Sequence, residues 1–213
     1  VQVPLLRSAL RTTRDLRNSE NFSSLRSEIF RTSQISAPLA VRLNDDNQEN
    51  KEIMTKINVT IRQGQSTDLA ELLQLFVDTV TTVCKTDYNY QQIKVWTSSI
   101  ENKERWLDIL TKQFLLVAQD QEKIIGFCSL DKDNYVDLLY VHKDNQGQGI
   151  ARKLYSEIEK EAIKKGQTQL TSDVSITARP FFEKVGFKVI AKQTVIRQGI
   201  ELTNFKMTKE LTK

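Results

Sequence analysis

Cysteine is scarce in this 213-residue chain: Cys84 and Cys128 are the only two, with no CxxC pair and no spacing suited to a zinc site. Neither a disulfide framework nor a structural metal is expected, and two reduced buried thiols point to a reducing compartment, the cytoplasm. Long apolar runs are missing too. FLLVA at 114–118 falls far short of the roughly 20 residues a membrane span requires, so a soluble protein without membrane contact is expected. The net charge of +4 and pI near 9.0 come without a basic stripe interleaved with aromatics. That argues against nucleic acid as a partner, although such a charge suits an anionic cofactor. No internal repeat is present. What the chain does have is 39% apolar residues, enough for the core of one ordinary domain plus an appendage.

The appendage is N-terminal. Residues 1–53 carry seven arginines against one lysine, Lys51, whereas the remainder carries five arginines against eighteen lysines, so the composition breaks near Met54. The arm is rich in Ser, Asn, Gln and Thr, and its sparse apolar residues predict disorder or loose helix. Three readings stand: a translated stretch upstream of a start at Met54, a disordered regulatory arm, or an organelle transit peptide. Asp15, Glu20 and Glu28 speak against the last, because such peptides are poor in acids.

From Ile57 the periodicity becomes legible. INVTIR alternates as a first strand. Ser66 or Thr67 is a cap for a helix with Asp68 and Glu71 in its first turn, and Leu69, Leu72, Leu73, Phe76, Val80 and Val83 recur at helical spacing. After the DYNY loop come two short helices, one carrying Ile93 and Trp96, the other, from about 99 to 112, carrying Trp106, Leu107 and Leu110. FLLVAQ, IIGFCSL and YVDLLYVH are three strands too closely spaced for helical crossovers, hence an antiparallel meander. Ile150, Leu154, Ile158, Ala162 and Ile163 mark a helix that stops at Gly166. QLTSDVS is a fifth strand, ARPFFEKVGF a short helix, and a terminal hairpin turns at Gln198 and Gly199.

Between the fourth strand and the helix from Ile150 lies NQGQGIAR. A strand, a glycine turn and a helix form an anion site, because the first N–H groups of the helix lack internal partners and the dipole adds positive charge. Gly147 and Gly149 let a phosphate come close to the backbone. A Walker loop would need Gly-Lys-Ser/Thr, but Gly149 is followed by Ile-Ala-Arg; a dinucleotide fingerprint would need Gly or Ala where Arg152 stands, and would sit on the first strand of a parallel unit. Both are excluded.

Gln146-Gly147-Gln148-Gly149-Ile150-Ala151 matches the pattern Q/R-x-x-G-x-G/A, and this stretch closely resembles the acetyl-CoA motif of the GNAT superfamily of N-acetyltransferases. The resemblance extends over about residues 57–210, since strand order and the later stretch SITARPFFEKVGF (175–187) fall where that family has them; DYNYQQIKVW and LTNFKM resemble its YafP-like branch. It implies an α/β fold of the GNAT-type acyl-CoA N-acyltransferase kind: a mixed, mostly antiparallel sheet flanked by helices and splayed between strands 4 and 5. The implied activity is direct transfer of acetyl from acetyl-CoA to a primary amine, small molecule, amino acid or peptide, in a ternary complex of a monomer or homodimer, with no metal. A catalytically weak acetyl-CoA sensor is the alternative.

The resemblance also implies site residues. The pyrophosphate would lie on the N–H groups of Gln146 to Ala151, with Arg152 and Lys153 near the phosphates. Pantetheine would run along Leu139, Tyr140 and Val141, with the N–H of Tyr140 or Val141 facing the thioester oxygen, and Ser175, Ala178 and Phe181 would contribute from the later stretch. Asp137, the only carboxylate on the fourth strand, is either a base near the place relatives use or a solvated strand carboxylate; Tyr135 is a second polar candidate. His142, the only histidine, is a base or a bystander. Phe182 stands where many relatives have a tyrosine that protonates the departing thiolate, and Ser175 where many have Asn. The acceptor pocket, framed in this family by the first two helices and the terminal hairpin, nominates Asp87, Tyr88, Trp96 and Arg197.

Overall fold

A computed structural model of the chain describes residues 58–212, so the expectations for the arm at 1–53 lie outside the described residues. Seven strands form one sheet: β1 (Val59–Gln63), β2 (Phe114–Asp120), β3 (Lys123–Asp131), β4 (Tyr135–Val141), β5 (Gln169–Ser175), β6 (Lys188–Arg197) and β7 (Ile200–Glu210), in the order β1-β2-β3-β4-β5-β7-β6. Neighbours run antiparallel except β4 and β5, which are parallel and share the single pair Tyr135↔Thr171. Beyond that pair the two strands splay apart, as the resemblance implied. The terminal hairpin turns through Gln198 and Gly199, both at positive φ (49° and 77°), the two-residue turn whose twist suits flanking strands.

Strand alternation sorts the core into two layers. Leu115 and Val117 of β2 face α1 (Leu69–Thr82), α2 (Tyr90–Thr97) and α3 (Lys103–Lys112), where Leu72, Phe76, Val80, Trp106 and Ile109 are buried. Leu116 and Ala118 face the other way, onto Leu154, Ile158 and Ala162 of α4 (Ile150–Lys164) and Phe182 of α5 (Arg179–Lys184). Among the described residues no helix is long and apolar enough to cross a membrane.

Two helix starts differ from the sequence expectation, each because a side chain captures a nearby backbone N–H. The third helix begins at Lys103, not near 99: Asn102 accepts the Arg105 N–H at 3.0 Å as its cap, and Ser98–Glu101 forms a separate 3-10 turn. The first is led by a 3-10 turn, Ser66–Asp68, capped by Gln65 in place of Ser66 or Thr67, because the Asp68 carboxylate reaches back to the Gln65 N–H at 2.8 Å.

The same carboxylate is gripped by Arg62 through two bonds of 2.8 and 2.9 Å and is only 8% exposed. The Arg62 hydrogen bonds hold the Asp68 carboxyl below the usual range against the opposing effect of burial. A depressed folded-state value means that the contribution is complete above the unfolded value of about 3.9 and is lost as pH falls through the folded one. Asp68→Asn is expected to cost about 1–3 kcal/mol in urea denaturation at neutral pH, and the variant's deficit should shrink on acidification. An undiminished deficit at low pH would remove the ion pair as its cause.

Candidate active site

At the end of β4 the chain makes a tight descent into α4. The His142 ring accepts the Asp144 N–H at 3.4 Å and caps the 3-10 turn Lys143–Asn145, so the lone histidine serves local structure here. Gln146 and Gln148 then donate their side-chain amides to Val141 C=O (3.2 Å) and Asp144 C=O (3.2 Å), folding the loop on itself. Gly147 and Gly149 sit at φ 75° and 80°, a left-handed conformation side chains rarely adopt. Nothing lies within 4 Å of where either Cβ would be, so both face open space. Lys153 is the first residue whose N–H returns to a carbonyl of this segment, that of Gly149 at 3.0 Å. The N–H groups of the first turn of α4 therefore lack intrahelical partners, and this 15-residue helix aims its positive end at the open space. Gly126 of β3 lets the helix approach: a Cβ there would come within 3.0 Å of Tyr140 O and 3.2 Å of the Ile150 side chain.

A cavity of about 970 Å³ runs from this turn along the splay between β4 and β5. Gln146, Gly147, Gly149, Ile150, Ala151 and Arg152 line its turn end. Gln148, held to Asp144, does not line it. Leu139, Tyr140 and Val141 form one wall, and Ser175, Ala178 and Phe181 the other. Ser175 Oγ accepts the Ala178 N–H at 3.1 Å, which shapes the turn into α5. Phe182, also on the lining, is 3% exposed and packs edge-on against Phe187 at 5.0 Å.

Alternation decides which β4 groups face the gap. His142 N–H donates to Ile125 C=O on β3 at 2.9 Å, and residues of an antiparallel strand present their backbone groups to opposite sides in turn. Tyr140 is therefore bonded into the ladder, while Leu139 and Val141 point away from β3. Thr79 Oγ1 reaching Val141 C=O at 3.3 Å agrees with this.

Asp137 owes its position to a β-bulge. Ser129 pairs with Leu138 and Leu130 with Val136, so Asp137 is an extra residue with no partner on β3. The bulge resets the alternation: Val136 enters the α4 layer and Leu138 the α1–α3 layer. Arg105 Nη2 donates to both Asp137 oxygens at 2.9 and 3.2 Å and Gln113 Nε2 to Oδ2 at 2.8 Å, the carboxylate remaining 10% exposed on the cavity lining. Three of its roughly four acceptor positions are filled, leaving one on Oδ1. Tyr135, half-buried on the same lining, has its phenol pushed up to about 12, chiefly by burial and then by Asp173 and Asp137. It keeps its proton at neutral pH and is a donor.

The acceptor candidates divide. Trp96 and the exposed Arg197 line the cavity. Asp87 does not; its Oδ2 accepts the Thr177 hydroxyl at 2.6 Å. Tyr88 lines the cavity but is 5% exposed, and its hydroxyl both accepts from Ile176 N–H and donates to Thr203 C=O. Arg105 and Gln113 were missed from the sequence. They stand 32 and 24 residues from Asp137, on α3 and the link into β2, where a charged residue on a helix reads as solvated surface. Among the described residues no three His, Cys, Asp or Glu gather as a metal site.

Comparison with known proteins agrees with this architecture. The family model described as an acetyltransferase (GNAT) domain matches residues 84–209. The N-acetyltransferase YafP of Escherichia coli K12 is 35% identical over 150 residues, covering 70% of this chain and 95% of that protein. A GCN5-related N-acetyltransferase from Rhodopseudomonas palustris is 32% identical with a TM-score of 0.69, covering 71% of this chain and 95% of its own. The PaiA N-acetyltransferase of Thermoplasma acidophilum, solved with coenzyme A, shares the fold at 22% identity and a TM-score of 0.61, covering 72% of this chain and 99% of its own. Glycine turn, splayed β4–β5 pair and matched domain agree, and the chain is a YafP-like member of the GNAT acetyltransferase family.

Proposed function

We propose that this acetyltransferase moves acetyl from acetyl-CoA to a primary amine, both bound at once in the cavity. The observation that carries the reading is the turn at Gly147 and Gly149, open where side chains would stand, under the unpaired N–H groups of α4 and at the mouth of the β4–β5 splay. An anionic pyrophosphate fits that set of donors, with Gln146 to Ala151 and Arg152 to hold it. Lys153 stands one residue further along the same turn. The PaiA enzyme, on the same fold, was solved with coenzyme A, which supports the choice of donor. Acetyl-CoA supplies an activated thioester.

The chain's own residues do the rest. Leu139 and Val141 offer the strand edge left free by the splay, and of the two N–H candidates for the thioester oxygen, Val141 is favoured because Tyr140 is spent on β3. A preorganised N–H there acts where charge develops. An alkylamine with a pKa of about 10.4 is mostly protonated at neutral pH, so a proton acceptor helps; Asp137, with one acceptor position free, takes that proton directly or through water. With Phe in place of a tyrosine at 182, water or the incoming ammonium protonates the thiolate. Trp96 and Arg197 frame the acceptor.

Thiol release from acetyl-CoA across a panel of amines, amino acids and short peptides tests the proposal. Release that depends on one class of amine is expected. Tight acetyl-CoA binding with no release from any amine would turn the reading to a sensor.

A further inference from the structure

The Tyr88 hydroxyl stands inside the β5–β7 ladder. Leu211 N–H donates to Thr168 C=O at 2.7 Å, and the register then runs without a shift from Gln169↔Glu210 to Ser175↔Asn204. Hydrogen-bonded pairs in an antiparallel ladder recur at every second residue, so the same step leads to Ile176 opposite Thr203. There the direct bond is replaced. Ile176 N–H donates to Tyr88 Oη at 2.9 Å, and that hydroxyl donates to Thr203 C=O at 2.7 Å. Two bonds in series stand where one of about 2.9 Å would close the ladder, so β5 is wedged off β7 at this end.

The wedge lies beside the cavity, whose lining includes Tyr88, Ser175, Thr177, Thr203 and Asn204. The ring cannot swing away: it is 5% exposed and packed edge-on against Trp96 with centroids 5.1 Å apart. Its neighbour Asp87 holds the same turn through Thr177 at 2.6 Å. Burial pushes the phenol up to about 12, so the hydroxyl keeps the proton it donates throughout the neutral range.

We infer that Tyr88 is a positioning residue: its hydroxyl holds β5 apart from β7 and so sets the Ser175–Ala178 turn, one wall of the cleft, against the acceptor end. The residue touches neither reacting group; it acts through the turn. The effect on turnover rests on the acetyl-transfer reading, whereas the wedge itself does not.

Tyr88→Phe keeps the ring and removes the bridge. Hydrogen exchange at the Ile176 amide should accelerate about tenfold or more while core amides of β2 and β3 are unchanged. The acetyl-CoA Kd should weaken about fivefold, and kcat with a competent amine should fall about tenfold at a temperature where the variant is fully folded. A lower thermal midpoint with unchanged Kd and kcat would make Tyr88 a brace of the fold only and overturn the inference. Wild type that releases no thiol with any amine defeats the acetyl-transfer reading separately, and equal acetyl-CoA affinity in the variant then overturns the positioning role. The wild type alone also tests the bridge: a Tyr88 hydroxyl proton that exchanges slowly and shows a nuclear Overhauser contact to the Ile176 amide is expected, and one exchanging at the solvent rate would overturn it even if the variant failed to fold.

Discussion

Gly149→Asp should abolish acetyl-CoA binding in calorimetric titration while the protein keeps its fold. Gly149 is the last residue before α4, at φ 80°, with nothing within 4 Å of the position its Cβ would take. A Cβ there meets no protein atom within 4 Å, and a carboxylate carried on it adds negative charge beside the space assigned to the pyrophosphate. Two unit charges about 4 Å apart at an effective dielectric of about 20 repel by about 4 kcal/mol, or about 10³ in affinity. The left-handed backbone would strain any side chain, so Gly149→Asn is the control: Asn tolerates this region about as well as Asp and carries no charge. Loss confined to the Asp variant assigns the effect to charge against phosphate. Equal affinity in Gly149→Asp and wild type would remove the phosphate site from this loop.

Asp137→Asn should lower turnover by about 10²-fold with acetyl-CoA affinity nearly unchanged, the scale of general-base loss. The bulge gives the change a second consequence. Asn can still accept from Arg105, but it turns an NH₂ group toward either Arg105 or Gln113 Nε2, each of which now donates to the carboxylate. A drop in thermal stability is therefore expected too, and the pH profile separates the two effects. If the carboxylate accepts the proton, the variant has lost its proton acceptor. The residual rate then follows deprotonation of the substrate amine and recovers part of its deficit toward about pH 10. A variant within about threefold of wild type between about pH 6 and about pH 10 would leave Asp137 as the anchor of Arg105 and Gln113 alone.

Much of the frame was legible because local patterns determine it. Alternation in INVTIR, the short apolar runs FLLVAQ and IIGFCSL, the helical spacing of Ile150, Leu154 and Ile158, and the stop at Gly166 each depend on neighbours within one or two turns of chain. The glycine turn was equally local, since positive φ at 147 and 149 and the helix that follows depend only on residues at the turn. Where boundaries moved, the cause was a side chain reaching across a short gap: Asn102 to Arg105, Asp68 to Gln65.

The acceptor end was legible only as a list of residue types. The family resemblance nominates Asp87 and Tyr88 by their place between the first two helices. Yet Thr177, 90 residues away, takes the acid, and Ile176 and Thr203, 88 and 115 residues away, take the phenol. Asp137 likewise looked like an isolated strand carboxylate until α3 brought Arg105 against it.

By itself the sequence determined the strand and helix succession, the glycine turn and the family, all consequences of backbone conformation and side-chain periodicity acting over a few residues. Only the tertiary structure decided which polar groups remain free. Hydrogen-bond capacity is consumed by whichever donors and acceptors folding brings within about 3 Å, and those partners lie dozens of residues apart in the chain.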